Sequence, residues 1–213
     1  MVRTGNYKNF NGTNYSHISI SKDRGRDANY EGKCFLDLAP NESFFRIWRN
    51  NIGKISTEEN NKYYIEEYYK QILEKLDPEE IYSKLSNNIL LCYEESNQFC
   101  HRHIVAAWFE IMLGVKVPEV IIEMGIIKEV EVPSYIKECL EQVMKDNKNM
   151  RGFESLRALY LFEKSEEIEE KANEIESTNK YCDEFRQLAC YLRCEADEVE
   201  SDYKNSKKLK IKK

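Results

Sequence analysis

Only three histidines occur in 213 residues, and two of them stand in Cys100-His101-Arg102-His103, inside the stretch "LLCYEESNQFCHRHIVAAWFE". A thiol, two imidazoles and a guanidinium in four consecutive positions can carry nucleophilic, acid–base or anion-binding chemistry. The planar fork of Arg102 suits phosphate or carboxylate, and a cysteine beside such cations has a lowered thiol pKa. Cys100 and His101 are therefore the candidate catalytic pair, and Arg102 and His103 the candidate anion-binding pair. Arg24 and Arg26, in the loop "SKDRGR", are secondary cations for the same ligand, while Cys92 and Glu94 support the site from just upstream. Tyr7, Tyr15 and Tyr30 offer rings on which a base can stack.

Each of these residues also has a plainer use. Cys100 suits packing at the edge of an apolar helix face, His101 suits a hydrogen-bonded core histidine, and Arg102 suits an ion pair with Glu94 or Glu95. Cys92, Cys100, His101 and His103 offer nitrogen and sulfur ligands for zinc. However, no CxxC pair occurs and adjacent residues rarely aim at one metal, so neither a metal nor another cofactor is expected. The chain carries no P-loop, GxGxxG, HExxH or GxSxG motif, which removes the commonest nucleotide, dinucleotide, metalloprotease and hydrolase signatures.

The elements around the motif are those that hold ligands in α/β proteins. "NILLCY" is a continuous apolar run of the kind that forms a buried strand, followed by the polar loop "EESNQF" and a helix over 101–113 stopped by Gly114. A strand, loop and helix in that order place a ligand beyond the strand's carboxyl end, where the helix's first-turn amides favour an anion. Helical angles put Ile104, Val105, Trp108, Ile111 and Met112 on one buried stripe that runs back to His101, with Arg102 and His103 pointing away. Upstream, Ile18 and Ile20 alternate as in a short strand, and Phe44, Phe45, Ile47 and Trp48 form the apolar face of a helix over 41–50. Ser56 and Glu59 form a capping box for a helix running to Leu76, and Asp77-Pro78 starts another. This alternation predicts a small, mostly parallel sheet flanked by helices, an α/β domain over 1–114. "EVIIEMGII" fits a strand or a short helix. Beyond Pro133 the patterns are helical, so 115–213 reads as an all-helical extension with a lysine-rich tail.

A net charge of −6 argues against a protein that coats nucleic acid without specificity, although residues 1–26 are locally basic, 163–176 acidic and the tail basic. No apolar run approaches the roughly 20 residues that cross a bilayer, and the N-terminus is polar, so a cytoplasmic protein with no membrane partner is expected. In that setting the seven cysteines read as reduced thiols.

From about residue 7 to residue 110 the chain resembles the bacterial and phage family known as domain of unknown function 488. The resemblance runs through "HISIS", "YEGK", the tryptophan-bearing helix, "ILEKLDPEEIYSKL" and above all "NILLCYEESNQFCHRHIVAAWFE". The family signature falls here on Cys92, Glu94, Cys100, His101 and Arg102. It implies a compact α/β domain with a shared site near Cys-His-Arg, and no particular reaction. Two classes of function therefore stay open. One is an anion-binding protein, or an enzyme, for a phosphate-bearing small molecule such as a nucleotide, or for a nucleic-acid end. The other is a non-catalytic scaffold that self-associates or recruits a protein through its C-terminal helices.

Overall fold

The computed structural model describes residues 1–174 and 181–211, so the end of the acidic segment and the last two lysines of the tail lie outside the described residues. The chain divides into two compact units, Met1–Met144 and Lys145–Lys213.

The first unit is built on six strands: β1 (Arg3–Asn6), β2 (His17–Ser19), β3 (Lys33–Cys34), β4 (Ile89–Cys92), β5 (Glu119–Glu123) and β6 (Ile126–Val130). They lie in the order β3-β2-β4-β1-β5-β6, parallel except for the β5–β6 pair. The expected mostly parallel sheet with flanking helices is thus present. All four residues of β4 are buried, as a strand covered on both faces requires.

The helices follow local sequence logic. The short α1 (Tyr7–Phe10) follows β1, and α2 (Glu42–Asn51) packs Phe44, Phe45 and Trp48 against Tyr64 of α3 (Thr57–Gln71). Ser56 caps α3 by accepting from the Glu59 amide at 3.2 Å, and Asp77 caps α4 (Pro78–Lys84) by accepting from Glu80 at 3.0 Å. α3 ends at Gln71, earlier than the apolar spacing suggests, because Leu73–Lys75 tightens into a 3₁₀ turn. The helix α5 (His101–Leu113) ends at Gly114, whose φ of 66° is the left-handed geometry that glycine adopts freely.

"EVIIEMGII" is a hairpin: Met124 and Gly125 both have positive φ, the geometry of a tight two-residue turn, and join β5 to β6. β5 pairs in parallel with β1, and Ile136 and Leu140 of α6 (Tyr135–Asn147) are buried. The first unit therefore extends to Met144, beyond residue 114. The second unit contains α7 (Leu156–Glu174) and α8 (Tyr181–Ile211), a helical region as expected. Glu200 of α8 accepts from the amides of Glu154 and Ser155, both at 2.8 Å, just ahead of α7. No described helix is long and apolar enough to cross a membrane.

Candidate functional site

The turn from β4 into α5 brings the signature residues together. Cys92 is the last residue of β4, and Cys100 caps α5 in extended backbone (φ −153°, ψ 146°) immediately before the helical His101. That change of conformation lets two adjacent residues face one point. The Sγ atoms of Cys100 and Cys92 lie 2.9 and 3.2 Å from the same Glu94 oxygen, Oε2. His101 Nδ1 lies 3.6 Å from Cys92 Sγ and 3.9 Å from Cys100 Sγ. Its Nε2 is 3.1 Å from the carbonyl of Ile20, which can only accept, so Nε2 carries a proton and Nδ1 faces the sulfurs.

Electrostatics divides the two thiols. Burial pushes the Cys92 thiol up, and its hydrogen bond and proximity to Cys100 add to the rise. Burial acts the same way on Cys100, but the Cys92 hydrogen bond and the charges of Arg102 and His101 outweigh it and hold that thiol well below its usual range. Burial acts to lower His101, yet the neighbouring Cys100 raises it. Burial, joined by the Cys100 charge, raises Glu94 to about 7. The cluster therefore offers an electron-rich sulfur, an imidazole and a carboxyl able to take or give a proton near neutrality.

Arg102 and His103 are placed differently from the expectation that they point away from the buried stripe. Both are buried, because α5 is covered on nearly all sides and Glu119 at the start of β5 receives them. Arg102 donates from Nε and Nη2 to Glu119, with Nη2 at 2.9 Å from Oε1, and His103 Nε2 lies 3.4 Å from Oε2. Burial would lower Arg102, but the charges of Cys100 and Glu119 raise it further. Burial would raise Glu119, but His103 and Arg102 hold it below the usual carboxylate range. The third guanidinium nitrogen, Nη1, has no hydrogen-bond partner and points toward Glu94, 4.0 Å from Oε2. Glu95, the other anticipated partner, pairs with Lys8 instead. Glu119 escaped the sequence reading. Its signal was an acid opening an otherwise apolar strand, which calls for a buried cation.

A cleft of about 540 Å³ opens over this cluster, with Cys92, Glu94 and His101 in its wall. Its cations are Lys22, Arg26 and Arg49, and Phe45 and Tyr93 contribute rings. Arg26 is thus at the cleft, whereas Arg24, exposed in left-handed backbone, is absent from its lining. Lys22 pairs with Glu42 at 2.8 Å and Arg26 approaches Asp27 at 3.9 Å, all on exposed side chains. Tyr93 hydroxyl donates to Asp23, fixing that wall. Tyr7 and Tyr30 are core rings and Tyr15 packs edge-on against Phe10, so none of the three anticipated tyrosines lines the cleft.

Neither a curated protein nor a solved structure matches this chain. Residues 11–113 match a family model described as the active DUF488-N3 subclade, a span that runs from the loop after α1 to the end of α5 and contains the whole cluster. Residues 11–113 are thus a domain of the DUF488 family.

Proposed function

We propose that the protein is an enzyme acting on a phosphate-bearing ligand, a nucleotide or a nucleic-acid end, held in the cleft above Glu94. The phosphate is received by Lys22, Arg26 and Arg49, and the chemical centre is Cys100 with His101, linked to the cleft by Glu94. The observation that carries this reading is one carboxylate oxygen, Glu94 Oε2, 2.9 Å from a buried Cys100 sulfur while its side chain is 38% exposed. A wholly structural network has no need of that opening.

The rim fits an incoming anion. The Lys22–Glu42 and Arg26–Asp27 pairs are exposed to solvent, where ion pairs are weak, so a phosphate can replace either acid. Arg49 makes no ion pair among the described residues and spreads over the Phe45 ring at 5.8 Å, a surface on which a base can also stack. Arg102 acts from below as a fixed positive charge that keeps the Cys100 sulfur electron-rich.

A thermal-shift comparison of nucleotides, sugar phosphates and short oligonucleotides tests this, since a ligand selective for the folded state raises its stability. One phosphate class should stabilise the wild type and act less on Arg26→Ala and Arg49→Ala. Equal stabilisation of all three proteins, or of none, would contradict it.

A second reading has one observation in its favour. Leu188 and Tyr191, one helical turn apart on α8, are 45% and 64% exposed, a surface suited to a protein partner or a second copy. A monomeric wild type, or an oligomeric one whose mass in solution Leu188→Glu with Tyr191→Glu leaves unchanged, rules out self-association through this surface.

A further inference from the structure

We propose that Cys92, Cys100 and His101 form a zinc site, with Glu94 beside the position left for a water or ligand from the cleft. This deepens the proposed function and rests on its reading of the cluster as the reaction centre: it assigns that centre a metal.

The geometry is the first support. Sγ of Cys92, Sγ of Cys100 and Nδ1 of His101 all lie within 4.8 Å of one another. Zinc bonds of about 2.3 Å to sulfur and 2.0–2.1 Å to nitrogen in a tetrahedron imply sulfur–nitrogen edges of about 3.5 Å. The observed edges are 3.6 and 3.9 Å. Spacing along the chain argued against such a site because Cys100 and His101 are adjacent. The switch from extended to helical backbone between them removes that objection.

The hydrogen bonds and charges around these three ligands give independent support. A metal-bound imidazole characteristically donates its other N–H to a carbonyl or carboxylate, which fixes the ring and the tautomer. His101 does this through Nε2 to the Ile20 carbonyl at 3.1 Å, which leaves Nδ1 for the metal. The completely buried Arg102, with Nη1 unpartnered and turned toward Glu94, supplies a cation that offsets the negative charge of two thiolates and a carboxylate. Two sulfurs and one imidazole nitrogen are donors that favour zinc over magnesium or calcium.

Three protein ligands make a catalytic rather than a closed structural arrangement. Cys92 and His101 reach the cleft wall, so the remaining position opens toward the ligand, and Glu94 stands where it can accept a proton from a zinc-bound water. Both thiols bind as thiolates, so loading releases protons to solvent.

The test is the zinc content of the full-length protein, together with the absorption spectrum of the chelator-stripped protein after cobalt(II) is added. One equivalent of zinc per chain is expected, replaced by cobalt with sulfur-to-metal charge transfer and the visible bands of a tetrahedral site. Cys92→Ser and His101→Ala should lose both signals, while Cys194→Ser, far along α8 and exposed, keeps them. The wild-type cobalt spectrum needs no variant to fold. Absence of zinc and of a cobalt spectrum would overturn the proposal, as would metal binding that survives Cys92→Ser and His101→Ala. Nucleotide stabilisation of a protein without the cobalt spectrum would remove zinc and keep the cleft reading. A cobalt spectrum without any phosphate-ligand effect would do the reverse.

Discussion

Arg102 and Arg49 are both arginines near Glu94, yet their surroundings give them opposite work. Arg102 is completely buried and doubly hydrogen-bonded to Glu119, whereas Arg49 stands exposed on α2 in the wall of the cleft. Burial makes the first a structural charge that shapes the cluster from beneath. Exposure leaves the second available to a ligand. The motif residue that advertises anion binding most clearly in sequence is thus the one least able to reach an anion from solvent.

That contrast is most easily broken at its buried side. Arg102→Ala strands the Glu119 carboxylate beneath α5, and removing one partner of a buried pair costs about 3–5 kcal/mol. Chemical denaturation of the full chain should show the loss in the Met1–Met144 unit, and a fall below about 1 kcal/mol would show that Glu119 is solvated. Arg102→Met combined with Glu119→Leu should recover most of that loss, because apolar groups of similar volume often replace a buried pair without cost.

A buried carboxylate in the second unit depends on its partners in the same way, at smaller scale. Glu200 is 7% exposed and takes the Glu154 and Ser155 amides, so Glu200→Gln should cost roughly 1–2 kcal/mol, the scale of a lost helix cap. Burial acts to raise its pKa, but the two amides and Lys204 lower it below the ordinary carboxylate value. Its stabilisation is therefore complete above the unfolded-state value and disappears as pH falls through the lower folded-state value. Unfolding of the wild type across that acidic window should lose this increment. The Gln variant should not, and identical slopes would remove Glu200 from the account.

Arg49→Ala gives the smallest effect on stability, within about 0.5 kcal/mol of wild type, as an exposed substitution should. Its effect belongs to ligand affinity, where about a tenfold weakening corresponds to 1.4 kcal/mol. A large stability loss would place Arg49 on the same side of the contrast as Arg102.

Much of this was legible in sequence where local chemistry decides. Ser56, Asp77-Pro78 and Gly114 mark helix ends by hydrogen bonding and backbone preference, and "ILLC" reads as a buried strand because its apolar run is continuous. β1 was not legible. Arg3-Thr4-Gly5-Asn6 has little strand character, and Gly5 is there because a Cβ would lie 2.7 Å from the Phe10 ring, a tertiary constraint. The grouping of Cys92, Glu94, Cys100 and His101 could be anticipated from one strand–loop–helix turn. Arg102's partner could not, since Glu119 arrives from a strand whose pairing depends on β1. The cleft's cations come from the β2–β3 region and α2, where sequence marked Arg26 and gave Arg49 no distinction.

On the proposed reading, phosphate enters above Glu94 through the rim cations Lys22, Arg26 and Arg49. Isothermal titration of a nucleoside triphosphate into the wild type and into Arg26→Ala with Arg49→Ala tests it most directly. The account predicts saturable one-site binding to the wild type and at least about tenfold weaker binding to an equally stable double variant. Equal affinities for the two proteins, or no saturable binding to the wild type, would contradict it.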